Sequence, residues 1–229
     1  MERYVQRYRL HCKTHQETQT MKPMLAKIGN EDILDRKDHL YEPKLDGIRA
    51  LCFKKTKLKF TSRNGIVITD KYPEFSFFDN LDAKECILDG EIVVYDEQGH
   101  PSFRLWAERD KGKHNAPATY VVFDILYLNG KSVMNEPLYV RKKILEKVVK
   151  ETDHLQISFV TKKGRELWNI VKKKKLEGVV AKKNDSSYEL DVRSDDWLKI
   201  KITKTIDCVI LGYTTEKRAL TSLALGLYV

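Results

Sequence analysis

Four short runs put lysines and carboxylates where a reaction could use them: Glu42-Pro43-Lys44-Leu45-Asp46-Gly47-Ile48-Arg49, Leu88-Asp89-Gly90-Glu91-Ile92-Val93, Glu177-Gly178-Val179-Val180-Ala181-Lys182 and Trp197-Leu198-Lys199-Ile200-Lys201. Each charged group is embedded in a strand-like apolar stretch, and the two-residue period of a strand puts Lys199 and Lys201 on one face. Charged side chains are rarely buried unless paired, so several at strand positions imply strands converging on a charged ligand. Several lysines with two glutamates suit a nucleoside triphosphate and a divalent metal, the bases holding phosphates and the acids holding the metal or its waters. Any one run alone reads as an ordinary half-exposed strand; the four together carry the inference. The chain has no zinc pattern, Ser-His-Asp arrangement, dinucleotide fingerprint or P-loop. His11, Cys12 and His15 cluster without a second pair of ligands, so no zinc site is expected there. Cys12, Cys52, Cys86 and Cys208 are scattered singly and read as reduced thiols, mostly core filler.

The elements that must hold these runs are legible in part. Apolar, β-branched and aromatic stretches predict strands at Ile48–Phe53, Lys57–Thr61, Cys86–Tyr95, Ala118–Leu128, Gly178–Ala181, Trp197–Ile202 and Asp207–Tyr213, with a last run at Ser222–Val229. Turns are marked by Asn64-Gly65, Gly99 and Asn129-Gly130. Helices are expected over Tyr139–Lys150, with Ile144, Leu145, Val148 and Val149 as its apolar stripe, and over Lys163–Leu176, with Leu167, Trp168, Ile170 and Val171. Residues 1–20 lack apolar periodicity and read as a basic, partly ordered arm; the compact part starts at Met21. The class is α+β or mixed α/β.

At 229 residues the chain amounts to about one and a half ordinary domains. Lys and Arg number 42 against 33 Asp and Glu, a net charge of +9. That balance favours polyanionic partners, nucleic acid first among them. Much of the excess falls between Lys142 and Lys175, including the unbroken run Lys172–Lys175. A solvated helix face accounts for most of these lysines; a stripe facing polyphosphate is the sharper alternative. No stretch approaches the roughly 18 apolar residues of a membrane span, and the basic N-terminus has no signal-peptide core.

The ordered runs resemble the nucleotidyltransferase domain of ATP-dependent polynucleotide ligases, relatives of mRNA capping enzymes. Lys44 to Arg49 matches the KxDGxR signature. Ser62-Arg63-Asn64-Gly65, LDGEIV at 88–93, the aromatic run Val122 to Gly130, EGVVAKK and WLKIK match the motifs that follow, in order, over about residues 21–203. The flanking KPMLA, YEPKLDGIRA, ILDGEIV and RSDDWLKIK are similar to the ligase part of bacterial and archaeal end-joining DNA ligases. The resemblance implies an α+β nucleotidyltransferase (ATP-grasp-like) adenylation fold of antiparallel sheets flanked by helices, followed from residue 204 by the first strands of an incomplete OB-fold.

It implies roles as well. Lys44 would attack the α-phosphate of ATP, giving lysyl-AMP and pyrophosphate. A free lysine is only roughly 0.04% neutral at pH 7, so the site must favour the neutral amine, with Lys199, Lys201 and a metal as the cations that would do so. Glu42 would read the adenine amino group and Phe123 would stack on the base. Arg49, Arg63 and Glu91 would contact the ribose and its surroundings, and Arg193 the nucleotide. Lys182, Lys199 and Lys201 would hold the α-phosphate; Glu91 and Glu177 would hold Mg²⁺ or Mn²⁺. Asp46, Asp89 and Tyr188 also match family positions, with supporting roles equally open to them. AMP would then pass to the 5′-phosphate of a nick in double-stranded DNA, which the 3′-hydroxyl seals. The expected partners are nicked DNA and end-joining or repair proteins, for a cytoplasmic, nucleoid-associated monomer.

Two strands cannot close a five-stranded OB barrel, and the family's sixth, basic motif is missing, so a fragment of a longer ligase with slow adenylation and doubtful sealing is expected. An RNA ligase or capping-type nucleotidyltransferase is the alternative within enzymes. A nick- or end-binding module that no longer turns over is the alternative outside them.

Overall fold

The longest apolar run of the sequence becomes the strand on which the larger of two sheets is built. The computed structural model describes residues 21–202, 206–215 and 222–227. Strand β6 (Ala118–Leu128) pairs antiparallel with β5 (Cys86–Val94), which pairs with β3 (Ile48–Lys54) and, through it, β4 (Leu58–Ser62). On its other edge β6 carries the short strands β7 (Lys131–Ser132) and β8 (Leu155–Ile157), the latter parallel. The smaller sheet has the order β1-β10-β9-β2, made from Leu25–Ile28, Arg193–Lys201, Gly178–Lys183 and His39–Pro43. Its β1–β10 pair is the second parallel exception in an otherwise antiparallel architecture.

Alternation along these strands sorts the molecule into layers. One face of the larger sheet presents Ala50, Cys52, Leu88, Ile92, Tyr120 and Val122 to Leu145 and Val148 of helix α2 (Leu138–Val148) and to the cluster Phe60, Phe75 and Phe77. The outward face of the smaller sheet packs Tyr41, Val179, Ala181 and Ile200 on Leu167, Trp168 and Val171 of helix α3 (Gly164–Lys173). Between the sheets lies a third cluster, Met24, Leu51, Phe53, Ile87, Phe123, Leu126, Tyr188 and Trp197. A helix not expected from the sequence, α1 (Phe103–Asp110), is capped by the Ser102 hydroxyl, which accepts from Leu105 N. It buries only Leu105, too narrow an apolar face for periodicity to betray.

Helix α2 ties the two sheets together through adjacent residues. Arg141 is fully buried and donates through Nε and Nη2 to Asp124 of β6 at 2.8 and 3.0 Å. Lys142, 5% exposed, ion-pairs with Glu42 of β2. This corrects the expectation of a solvated helix face at Lys142: it follows Leu138 by four residues and precedes Leu145 by three, so it lies on the buried stripe. The run Lys172–Lys175 is exposed, as a solvated face requires. In α3 the stripe is narrower than expected, because Ile170 turns outward and is 51% exposed. Cys52 and Cys86 fill core positions, whereas Cys208 is exposed. The basic arm of residues 1–20, with His11, Cys12 and His15, lies outside the described residues. Strands β11 (Val209–Thr214) and β12 (Ser222–Gly226) form an antiparallel pair that exposes Ile210, Leu211, Tyr213 and Leu225.

Candidate active site

The inner faces of the two sheets enclose a cleft of about 610 Å³, lined among others by Glu42, Lys44, Arg49, Arg63, Glu91, Phe123, Lys182, Arg193 and Lys199. Strand register brings them together. Glu42 lies opposite Val180, which lies opposite Lys199, and Lys182 lies opposite Trp197; Glu42 and Lys182 are therefore diagonal neighbours on one face. In the larger sheet Arg49 lies opposite Glu91. Phe123 owes its position to a bulge: Asp89 pairs with Asp124 and Gly90 with Val122, leaving Phe123 as the extra residue of β6. Bulges of this kind re-aim a side chain.

At the inner end of the cleft Glu42 is 2% exposed and carries two ammonium groups, Lys142 on one oxygen and Lys182 on the other, the latter at 2.9 Å. Burial alone would raise its carboxyl pKa, but the two lysines outweigh it and hold the group below the ordinary carboxylate value. Burial likewise pulls Lys182 down to about 8 against the attraction of Glu42. Its ammonium rests 4.2 Å from the ring centres of both Phe123 and Trp197. Arg49 covers Phe123 at 4.5 Å and grips Asp89 with two bonds of 2.5 and 2.6 Å. Tyr188 donates to the same carboxylate at 2.6 Å. Asp89 and Tyr188 thus form the support beneath Arg49.

Lys44 stands where β2 runs into the loop to β3; its backbone N–H bonds Gly178 O at 2.9 Å, fixing the loop to β9. The loop then passes so close to β5 that a Cβ on Gly47 would meet Ile92 O at 2.2 Å, so only glycine fits. Asp46 accepts from Phe103 N, anchoring the loop to the start of α1. The Lys44 ammonium meets Glu177 at 2.5 Å, and Lys201 meets the other oxygen of Glu177 at 2.9 Å. The direct partner of Lys44 is a carboxylate, and the expected cations stand close by, Lys201 on the other oxygen of Glu177 and Lys199 near enough to feel the charge of Lys44. Crowding of cations falls on Lys199, whose pKa is lowered by partial burial and then by Arg193, Lys201, Lys44 and Arg63. Lys201 and Glu177 stand beside the cleft rather than in its lining; Glu177 borders a smaller adjoining cavity of about 260 Å³ that also touches Lys44. Arg63 and Arg193 are exposed at the mouth.

Glu91 differs from the other acids. Among the described residues it has no hydrogen-bond or ion-pair partner, and burial pushes its carboxyl up to about 7 despite Arg49 and Lys44. A carboxylate so placed gains most from an arriving cation. Glu177 already carries two lysines, and among the described residues no three acidic, histidine or cysteine side chains group around one point.

Sequence reasoning missed Lys142 and Trp197 at this site. The signal for Lys142 was its place on the apolar stripe of α2. Trp197 was read only as part of a strand, although it is 1% exposed and directly opposite Lys182.

A basic cleft between two mostly antiparallel sheets, with a lysine loop at its side and a caged carboxylate at its end, has the architecture of a ligase nucleotidyltransferase domain. A family model described as ATP dependent DNA ligase domain matches residues 23–201. Over 199 residues the chain is 35% identical to the SPbeta prophage-derived DNA ligase-like protein LigB of Bacillus subtilis, covering 85% of this chain and 72% of that one. It is 34% identical to the multifunctional non-homologous end joining protein LigD of Mycolicibacterium smegmatis, covering 90% of this chain but 27% of LigD. The structure of mycobacterial DNA ligase D complexed with ATP and MES superposes with a TM-score of 0.72 at 28% identity, over 91% of this chain and 68% of that one. The chain belongs to the ATP-dependent DNA ligase family and carries its adenylation domain.

Proposed function

We propose that this domain uses Lys44 to take AMP from ATP and hands it to the 5′-phosphate of a DNA nick. The observation that carries the reading is the Lys44–Glu177 pair beside a cleft with an aromatic, carboxylate-bearing inner end and a cationic mouth. The Lys44 nitrogen attacks the α-phosphorus, its bond to the β-phosphate oxygen breaks, and pyrophosphate leaves with the electron pair. Glu177, at 2.5 Å, is within reach to take the proton the amine must lose. Lys199, with Arg193 and Lys201, stabilises the charge that builds on the α-phosphate. Glu42 accepts from the adenine amino group, Phe123 and Trp197 form the apolar wall for the base, and Arg49 and Arg63 border the ribose. Lys182 belongs to the base end in this reading, because its ammonium is committed to Glu42 and two rings. Glu91 and Glu177 would hold Mg²⁺ or Mn²⁺, which would neutralise phosphate charge.

The remaining steps extend the same reading. Nicked duplex DNA would lie across the basic mouth, gripped through its phosphates, and the pair β11–β12 would open an OB-fold. End-joining or repair proteins would be the partners of a monomer working at the nucleoid.

Intact mass spectrometry tests the first step. ATP with Mg²⁺ should add one AMP, pyrophosphate should remove it, and neither Lys44→Ala nor Lys44→Arg should acquire it. An adduct on Lys44→Ala would displace Lys44 from this role, and no adduct on the wild type would overturn the reaction.

A further inference from the structure

We infer that Lys142, which belongs to none of the matched motifs, is a specificity-determining residue: it fixes Glu42 as an acceptor-only group and so selects a purine with an amino group at position 6. This rests on the reading of Glu42 as the base-contacting acid.

Glu42 is one of the most deeply buried acids among the described residues, yet it borders the cleft. A carboxylate in such a place is costly unless paired. One partner, Lys182, belongs to the cleft wall and is itself held between two aromatic rings. The other, Lys142, comes from α2 and approaches the oxygen that Lys182 leaves free. Lys142 is absent from the cleft lining, so it touches the carboxylate and not the ligand space. It therefore acts through Glu42, as a positioning group.

An ionised carboxylate can only accept hydrogen bonds. An amino group at C6 donates to it; a carbonyl at C6 presents a second acceptor and is repelled. With Lys182 as its one remaining cation, Glu42 would be drawn toward Lys182 and more easily protonated, and a protonated carboxyl can donate to that carbonyl. The discrimination thus requires both lysines, and Lys142 is the one available for substitution without altering the wall of the cleft.

The test is the ratio of two nucleotides, which does not depend on how much of a variant is folded. Binding and lysyl-AMP or lysyl-IMP formation are measured with ATP and with ITP, which differ at position 6 by amino against carbonyl. The wild type should prefer ATP. Lys142→Met should reduce the preference about tenfold or more, the scale of one hydrogen bond to a charged group, chiefly by raising KM for ATP. Lys142→Arg should restore most of it. An unchanged ratio in Lys142→Met, with both nucleotides weakened alike, would reduce Lys142 to a structural residue and overturn the inference. Binding is scored separately from adduct formation. A wild type that binds ATP selectively but forms no adduct would refute the reaction and still test Lys142. A wild type that prefers neither nucleotide would refute the reading of Glu42 and this inference together.

Discussion

At the scale of single residues, the acids in and around the cleft divide by what surrounds them. Glu42 is caged and held ionised, Asp89 is gripped by Arg49, Glu177 bridges two lysines, and the Glu91 side chain has no hydrogen-bond or ion-pair partner among the described residues. This difference has a thermodynamic signature. The folded chain keeps the Glu91 proton up to about pH 7, against an ordinary value of 4.5. A carboxyl raised in this way contributes stability that is fully present below pH 4.5 and is lost as pH rises through 7. Unfolding in urea should therefore weaken by up to about 3 kcal/mol between pH 4.5 and 8 through this group, and Glu91→Gln should remove that part of the slope. An identical slope in the variant would show that Glu91 is not the titrating group. The sequence named Glu42, Lys44, Glu91 and Glu177 from motif order alone. It could not say which acid meets which base, since Lys44 and Glu177 are 133 residues apart and only the packing of β2 against β9 makes them neighbours.

At the scale of elements, the long buried strands were legible because their composition and length leave little choice. Ala118–Leu128 was expected at its observed bounds, and Cys86–Tyr95 ends one residue short, at Val94. The strands that were not expected are short or mixed in polarity: Leu25–Ile28, His39–Pro43, Lys131–Ser132 and Leu155–Ile157. Strand β2 escaped notice although it carries Glu42, because its residues are buried on both faces and show no alternation. The loop between β2 and β3 yields a sharper expectation. Gly47→Ala would drive a methyl into the Ile92 carbonyl, and backbone on both sides cannot yield. Lifting the loop by about 1 Å should slow lysyl-AMP formation on the order of 100-fold, with nucleotide binding less affected. Single-turnover kinetics would check it; a rate within a fewfold of wild type would mean that the loop has slack.

At the scale of the whole molecule, net charge and cleft act together. With a charge of +9 and Arg63, Arg193 and Lys201 exposed around the opening, binding to nicked duplex should depend steeply on salt. Contact with about five phosphates gives a log–log slope near −4.5, measurable by fluorescence anisotropy between 50 and 200 mM salt. A flat response would remove the phosphate backbone as the main contact.

Helix α2 also sets a mechanical boundary. Arg141 fastens it to one sheet and the next residue, Lys142, fastens it to the other, so the two sheets are held in register at the inner end of the cleft. On the proposed reading of that inner end as the base pocket, its shape is set by a buried double anchor, so a purine carrying an added substituent at position 6 should bind far more weakly than ATP. The opposite end is bordered by the exposed side chains of Arg63 and Arg193, where a longer polyphosphate chain would meet solvent rather than a wall.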